Sequence, residues 1–294
     1  MEHFLKKVGV FFLILVIFVT VLSFILIPLI KKSNYYKIES DITDIYIGDS
    51  HIRQAVVDSL LSNSQNIALD SESLYFTYYR LKKIFESEND IETVYLGFSY
   101  HTLSDYYDDY IYGEFSNSTS PKYFFLLPFS EQKKMLYLNR KNNYVKGLIK
   151  NVYKPILNNS KFGGYSNVFM NTKSIKSSMD KRINLQYYTE NKINQFSQIN
   201  LLYLEKIINL SIINNFKLII VNTPLDSYYK AKIPIEYIDK YDSVISKYDL
   251  PLIDFCNITF DENQFIPDGD HLSKEGALKM TKELINLQKQ NVAF

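Results

Sequence analysis

Asp44-Ile45-Tyr46-Ile47-Gly48-Asp49-Ser50-His51 is the stretch on which the reading of this chain turns. Asp44 to Gly48 reads as a short strand closed by a tight turn. Ile52, Ala55, Val56 and Leu60 then fall at helical spacing, so Ser50 stands where a strand hands over to a helix. At a helix N-terminus, backbone N–H groups and the helix dipole favour developing negative charge. A nucleophilic serine there would have its own N–H available to hold an oxyanion. Alone, Gly-Asp-Ser is a weak signal and more often a common turn or helix cap.

Outward from this point the same rhythm continues. Gln65–Leu69 reads as a second strand, Leu74–Phe85 as a helix rich in Tyr and Phe, and Glu92–Phe98 as a third strand. Phe216–Val221 reads as a fourth strand, ended by Asn222-Thr223-Pro224, and Pro251–Phe255 as a fifth. A last helix begins near Ser273, a plausible N-cap, with Ala277, Met280, Leu284 and Leu287 as its apolar stripe. Strands alternating with helices predict an α/β fold, a three-layer α/β/α sandwich around a mostly parallel sheet. Reactive residues then belong at the carboxyl ends of the strands. Between Asp105 and Asn200 the rhythm breaks into a polar, aromatic, Asn-rich stretch, with helices expected near Ser130–Val152 and Ile193–Asn214. We read about 105–200 as an insertion or lid, because loops that long usually carry function. Asn117, Asn158, Asn209 and Asn257 begin N-x-[ST] sequons, which an Asn-rich chain also produces by chance.

The first 32 residues are of another kind. Val8–Ile30 carries no charged side chain over 23 residues, about 34 Å as a helix, enough to cross a hydrocarbon layer of roughly 30 Å. The run is longer than a signal-peptide core and ends in Ile27-Pro28-Leu29-Ile30-Lys31-Lys32, without a small-residue cleavage site. Residues 1–32 therefore read as an uncleaved anchor and 33–294 as the folded domain. Lys6 and Lys7 on one side nearly balance Lys31 and Lys32 on the other, and we read the bulk of the chain as extracytoplasmic.

Composition excludes several classes. The remaining residues, about 260, suffice for a sizeable core. A net charge of +1 disfavours a nucleic-acid binder that relies on a basic domain. The single cysteine, Cys256, excludes an internal disulfide framework and a Cys-based zinc site. Among 33 basic residues only Arg53, Arg80, Arg140 and Arg182 are arginine, and 25 tyrosines stand beside no tryptophan. Those figures point to genome composition rather than to an aromatic sugar-binding face.

A serine nucleophile needs a base, and the base needs an orienting group. Pro267-Asp268-Gly269-Asp270-His271-Leu272-Ser273 follows the fifth strand and precedes the last helix. The spacing lets the Asp268 carboxylate reach one imidazole nitrogen of His271 while the other faces the end of the first strand. The alternatives are an Asp-rich turn capping a helix, or a calcium loop built on Asp268 and Asp270. Calcium takes six or more oxygens, and only two acidic residues cluster tightly here. No metal or other cofactor is expected.

Together, Gly48-Asp49-Ser50 and Asp268-Gly269-Asp270-His271 resemble the two end blocks of the SGNH/GDSL hydrolase superfamily. The resemblance spans both ends of the domain and implies the flavodoxin-like SGNH fold. It also implies Ser50 as nucleophile, His271 as base and Asp268 as the group that orients it. That superfamily takes oxyanion donors from a glycine after the second strand and an asparagine after the third. Here the corresponding positions read Asp70-Ser71-Glu72-Ser73 and Gly97-Phe98-Ser99-Tyr100-His101. The backbone N–H of Ser71 stands in for the glycine, and Ser99 or His101 is the candidate for the asparagine's role, although His101 is equally a loop histidine. His51 is expected to support the site from behind.

An anchor followed by a Gly-Asp-Ser-His domain also resembles cell-envelope acyl-transfer proteins, such as alginate O-acetylation factors and teichoic-acid D-alanylation accessory proteins. This implies a serine esterase or O-acyltransferase acting on an envelope polysaccharide or glycolipid. Its partners would be an acyl donor, a carbohydrate or lipid acceptor, the membrane, and a polysaccharide-modification complex. The alternative is a catalytically silent scaffold or binding component of such a complex.

Overall fold

The computed structural model describes residues 1–32, 38–139, 144–152 and 162–289. The Asn158 sequon lies outside them. Helix α1 (Glu2–Lys32) is long and apolar enough to cross a membrane. Its segment His3–Leu22 has a mean hydropathy of 2.5 and is buried against nothing in the rest of the chain.

Five strands form one parallel sheet: β1 (Asp44–Ile47), β2 (Ser64–Asn66), β3 (Thr93–Gly97), β6 (Lys217–Asn222) and β7 (Leu252–Asp254), in the order β2-β1-β3-β6-β7. β4 (Tyr188–Thr189) and β5 (Lys192–Ile193) make a separate antiparallel hairpin. The sheet order reverses between β1 and β3, which opens a crevice at the carboxyl ends of those two strands. Ile45 pairs with Val94, and Val94 with Leu218, so the central three strands run in register as a continuous apolar block.

The pleat sorts that block into two faces. Ile45, Ile47, Val94, Leu96, Leu218 and Ile220 pack on one side with α3 (Leu74–Phe85), α7 (Gln198–Asn214) and α8 (Ile235–Tyr248). Tyr46, Tyr95, Ile219, Val221 and Ile253 pack on the other with α2 (Ser50–Ala55) and α9 (Lys274–Lys289). This is the expected three-layer α/β/α sandwich. Asn215 and Asp249, both left-handed, end α7 and α8 in the manner such residues tolerate. Ser273 Oγ accepts from Gly276 N at 3.3 Å and caps α9 as expected.

Several elements differ from the expectation. α2 ends at Ala55. Val56 is already extended, and Leu60 lies on a separate 3-10 turn, 45% exposed. The second strand is Ser64–Asn66, although Ile67 N and Leu69 N still donate to Tyr46 O and Gly48 O beyond it. α7 starts at Gln198, where Ser197 Oγ accepts from Asn200 N at 2.9 Å, and Ile193 belongs to the hairpin instead. The Ser130–Val152 stretch holds two helices, α4 (Phe129–Leu138) and α5 (Tyr144–Val152), and residues 140–143 between them lie outside the described residues. α8 was not expected from the sequence, and neither was α6 (Lys176–Tyr187), which puts Met179, Ile183 and Tyr187 into the first core.

Candidate active site

The turn after β1 is forced by close packing. Gly48 has φ +148, and a side chain there would meet the backbone of Gly97 at 3.2 Å. A Cβ on Gly97 would in turn stand 2.4 Å from Ile52 Cγ1. The ends of β1 and β3 and the first turn of α2 therefore close on one another only because both positions are glycine. Asp49 fixes the turn. Its Oδ1 accepts from His51 N at 2.9 Å, and its Oδ2 faces His101 Nε2 at 2.9 Å and takes the Tyr107 hydroxyl. Burial alone would raise the Asp49 carboxyl, but the imidazoles of His51 and His101 and these hydrogen bonds hold it far below the usual carboxylate range.

Ser50 opens α2, and its Oγ lies 2.7 Å from His271 Nε2. On the other side of the ring, His271 Nδ1 is 2.8 Å from Asp268 Oδ2, while His271 N donates to Asp268 Oδ1 at 3.2 Å. The Asp268-to-His271 turn is shaped by Gly269, whose φ is +71 and where a Cβ would meet Met179 Sδ of α6 at 2.4 Å. Residues at opposite ends of the domain thus form one line, carboxylate to imidazole to hydroxyl. α2 has only six residues, so its dipole is small. What the turn offers an oxyanion is individual N–H groups, and the Ser50 N–H, first in the helix, has no carbonyl one turn back.

Ser50 and His271 line a small pocket of about 160 Å³. Its remaining wall includes Ser71, Gln54, Tyr106, Tyr107 and Arg182. Ser71 sits at φ +61, uncommon for a serine, and presents its turn to this pocket. Ser99 and His101 do not line it. Ser99 is buried and caps the 3-10 turn Tyr100–Leu103, with its N–H donated to Thr102 Oγ1 at 3.2 Å. His101 is turned to Asp49.

Three imidazoles stack behind the serine. The rings of His51 and His101 are 3.9 Å apart and 20° from parallel, and those of His51 and His271 are 4.4 Å apart. Asp49, His51 and His101, and likewise His51, Asp270 and His271, bring ligand-type atoms within 4.8 Å of each other. Stacked rings carry their in-plane lone pairs side by side, however, whereas chelation needs them to converge on one point. Burial, reinforced by His101, pushes His51 down to about 3, so this central ring is neutral. Its Nδ1 lies 3.3 Å from Thr223 Oγ1 at the end of β6.

Asp270, read from the sequence only as part of an Asp-rich turn or calcium loop, also reaches His271. Its Oδ1 is 3.1 Å from His271 Nδ1, and its Oδ2 receives Arg182 Nε at 2.8 Å and Gln186 Nε2 at 2.9 Å. Burial opposes charge at Asp270, but Arg182 and His271 hold the carboxyl well below its ordinary range. Burial also opposes charge at His271, yet Asp270 and Asp268 together push it up to about 10. Arg182 and Gln186 both come from α6, in the stretch read as an insertion. The available signal was arginine's rarity. Arg53, Arg80 and Arg182 each pair with a carboxylate, Asp70, Glu72 and Asp270 respectively. A chain that otherwise uses lysine places arginine where a fork of donors is needed.

No family model and no curated protein matches this chain. A solved structure described as a candidate platelet activating factor from Streptococcus pneumonia is similar to it, with 12% sequence identity and a TM-score of 0.42, over 92% of this chain and 98% of that one.

Proposed function

We propose that this chain is a membrane-anchored serine esterase or O-acyltransferase of the SGNH/GDSL type, with an envelope polysaccharide or glycolipid as acceptor or substrate. The observation that carries the reading is the unbroken line Asp268 Oδ2–His271 Nδ1 at 2.8 Å and His271 Nε2–Ser50 Oγ at 2.7 Å. In this mechanism Ser50 Oγ attacks the ester carbonyl carbon and its proton passes to His271 Nε2. The tetrahedral oxyanion takes the N–H groups of Ser50 and Ser71. Collapse expels the alcohol, which leaves with the proton from His271, and acyl-Ser50 remains. Water or a sugar hydroxyl, deprotonated by the same imidazole, then takes the acyl group. Asp268 keeps the ring in the tautomer that points its free lone pair at Ser50. Helix α1 would serve as the tether, with the domain outside the cytoplasm.

One observation favours a second reading, a scaffold without catalysis: neither Ser99 nor His101, the candidates for the third-strand oxyanion donor, lines the pocket. With His271 pushed up to about 10, most of the imidazole carries a proton at neutral pH and cannot accept another from Ser50. A fluorophosphonate probe separates the two. The acyl-transfer reading expects labelling of the full chain in detergent, and its loss in Ser50→Ala. An unlabelled protein across pH 7 to 10, with Ser50→Ala fully functional in cells, would establish the scaffold. A reporter fused after Phe294 tests the topology, and a cytoplasmic signal would overturn the extracytoplasmic placement.

A further inference from the structure

Arg80 and Arg182 are both held by carboxylates, but they use their guanidinium groups differently. Both terminal nitrogens of Arg80 are engaged inside the protein. Its Nη1 goes to Glu72, and its Nη2 donates to Ile67 O at 2.6 Å and Phe162 O at 3.1 Å. Arg182 donates through Nε alone, to Asp270 Oδ2 at 2.8 Å. Among the described residues neither of its terminal nitrogens has a protein acceptor, and neither is sealed from solvent. The side chain is 20% exposed, and it opens into the pocket that holds Ser50 and His271.

Arg80 spends its terminal donors on protein acceptors, whereas those of Arg182 are left for what enters the pocket. Arg182 is also the one lysine or arginine on the wall of this pocket. The one carboxylate on the pocket wall, Asp70, is already paired with Arg53. The fork is fixed in orientation, since Asp270 holds Nε and is itself held by Gln186 Nε2 at 2.9 Å. A guanidinium held at Nε on the wall of a pocket, with no protein acceptor for its terminal nitrogens among the described residues, can take two oxygens of one anionic group.

We propose that the terminal nitrogens of Arg182 bind an anionic group of the substrate, a phosphate or a carboxylate, next to the ester that Ser50 attacks. The proposal rests on the acyl-transfer reading and narrows its substrate to charged esters. It gives α6 a double task, since one side chain sets Asp270 against His271 and reads the substrate's charge.

The test is inhibition of 4-nitrophenyl acetate hydrolysis by inorganic phosphate and, separately, by acetate, with the full chain in detergent. The expected result is competitive inhibition that raises KM and leaves kcat unchanged, and the stronger of the two ions identifies the class. In Arg182→Gln that inhibition should weaken at least tenfold. Arg182→Lys, which keeps the charge without the fork, should weaken it several-fold and provides the measurement if the glutamine variant does not fold. Wild-type protein insensitive to both ions, or variants inhibited as strongly as wild type, would overturn the proposal. Failure of the acyl-transfer reading looks different: no ester hydrolysis and no fluorophosphonate labelling. In that case a phosphate- or acetate-dependent rise in Tm, absent in the Arg182 variants, would still support the anion site, and its absence in wild type would dismiss it.

Discussion

Asp270 Oδ1 stands 3.1 Å from His271 Nδ1, the same nitrogen that Asp268 Oδ2 approaches at 2.8 Å. Two carboxylates therefore bear on one imidazole, and their combined charge outweighs the effect of burial and carries His271 up to about 10. In the proposed mechanism the base must be neutral to take the Ser50 proton, so activity should climb as pH rises through the alkaline range rather than level off near the ordinary histidine value. Asp270→Asn removes one of the two charges and should move this limb to lower pH. The rate of fluorophosphonate labelling between pH 5 and 10 measures it. A wild-type limb near 6.5 that does not move in Asp270→Asn would show that Asp270 exerts no such control.

Stability should run the opposite way. His271 has a folded-state pKa above its unfolded value, so its contribution is complete below about 6.5 and is lost as pH rises toward about 10. Tm should accordingly fall across that window, and the fall should be shallower in His271→Gln. Calorimetry at a series of pH values decides this, and equal slopes in the two proteins would contradict it. The site would then be most stable where it is least active.

How much of this could be read from the chain depended on which interactions were local. The β1 turn and the Asp268–His271 pair were legible, because a strand followed by Gly-Asp-Ser and a carboxylate three residues before a histidine are short-range patterns. α3 was read to the residue, since its apolar positions repeat at the right spacing. The Arg182–Asp270–Gln186 clamp was not legible, because its members lie 88 and 84 positions apart and α6 has almost no amphipathic pattern to announce a helix. The short α2 departs from its sequence spacing for a related reason. Val56 and Leu60 continue the helical spacing, but Asn66 Nδ2 takes the carbonyls of Ile52 and Val56, at 3.0 and 2.8 Å, so a long-range contact satisfies the chain where it leaves the helix.

Gly97→Ala should damage both fold and site. The added methyl would meet Ile52 Cγ1 at 2.4 Å and must push α2, and with it Ser50, away from β3. Overpacking of this kind costs about 1–3 kcal/mol. Urea denaturation should show that loss, together with weaker labelling at Ser50. Ile52→Ala creates the missing space, so Gly97→Ala/Ile52→Ala should be less destabilised than the sum of the single changes. Strict additivity would mean that these two residues do not press on each other.

The buried pair Glu72–Arg80 makes a separate prediction about how the loop before α3 is held. Glu72 also accepts from Thr77 Oγ1 at 3.0 Å and Tyr123 OH at 3.2 Å, and Arg80 is its single cationic partner among the described residues. Arg80→Met leaves a carboxylate buried without a counter-charge, a loss of about 3–5 kcal/mol at neutral pH. Glu72→Leu/Arg80→Met removes both charges and should cost distinctly less, although Ile67 O still loses its donor. Burial already raises the Glu72 carboxyl, and without Arg80 nothing cationic offsets it, so in the single variant Glu72 should fold in its protonated form. The sign follows from linkage. A folded-state pKa above the unfolded value makes the penalty small below the unfolded pKa and growing as pH rises above it. Urea midpoints for Arg80→Met should therefore approach those of the double variant near pH 4 and separate from them by pH 7. Two variants that track each other at every pH would show that Arg80 serves this loop through its carbonyl contacts and not through its charge.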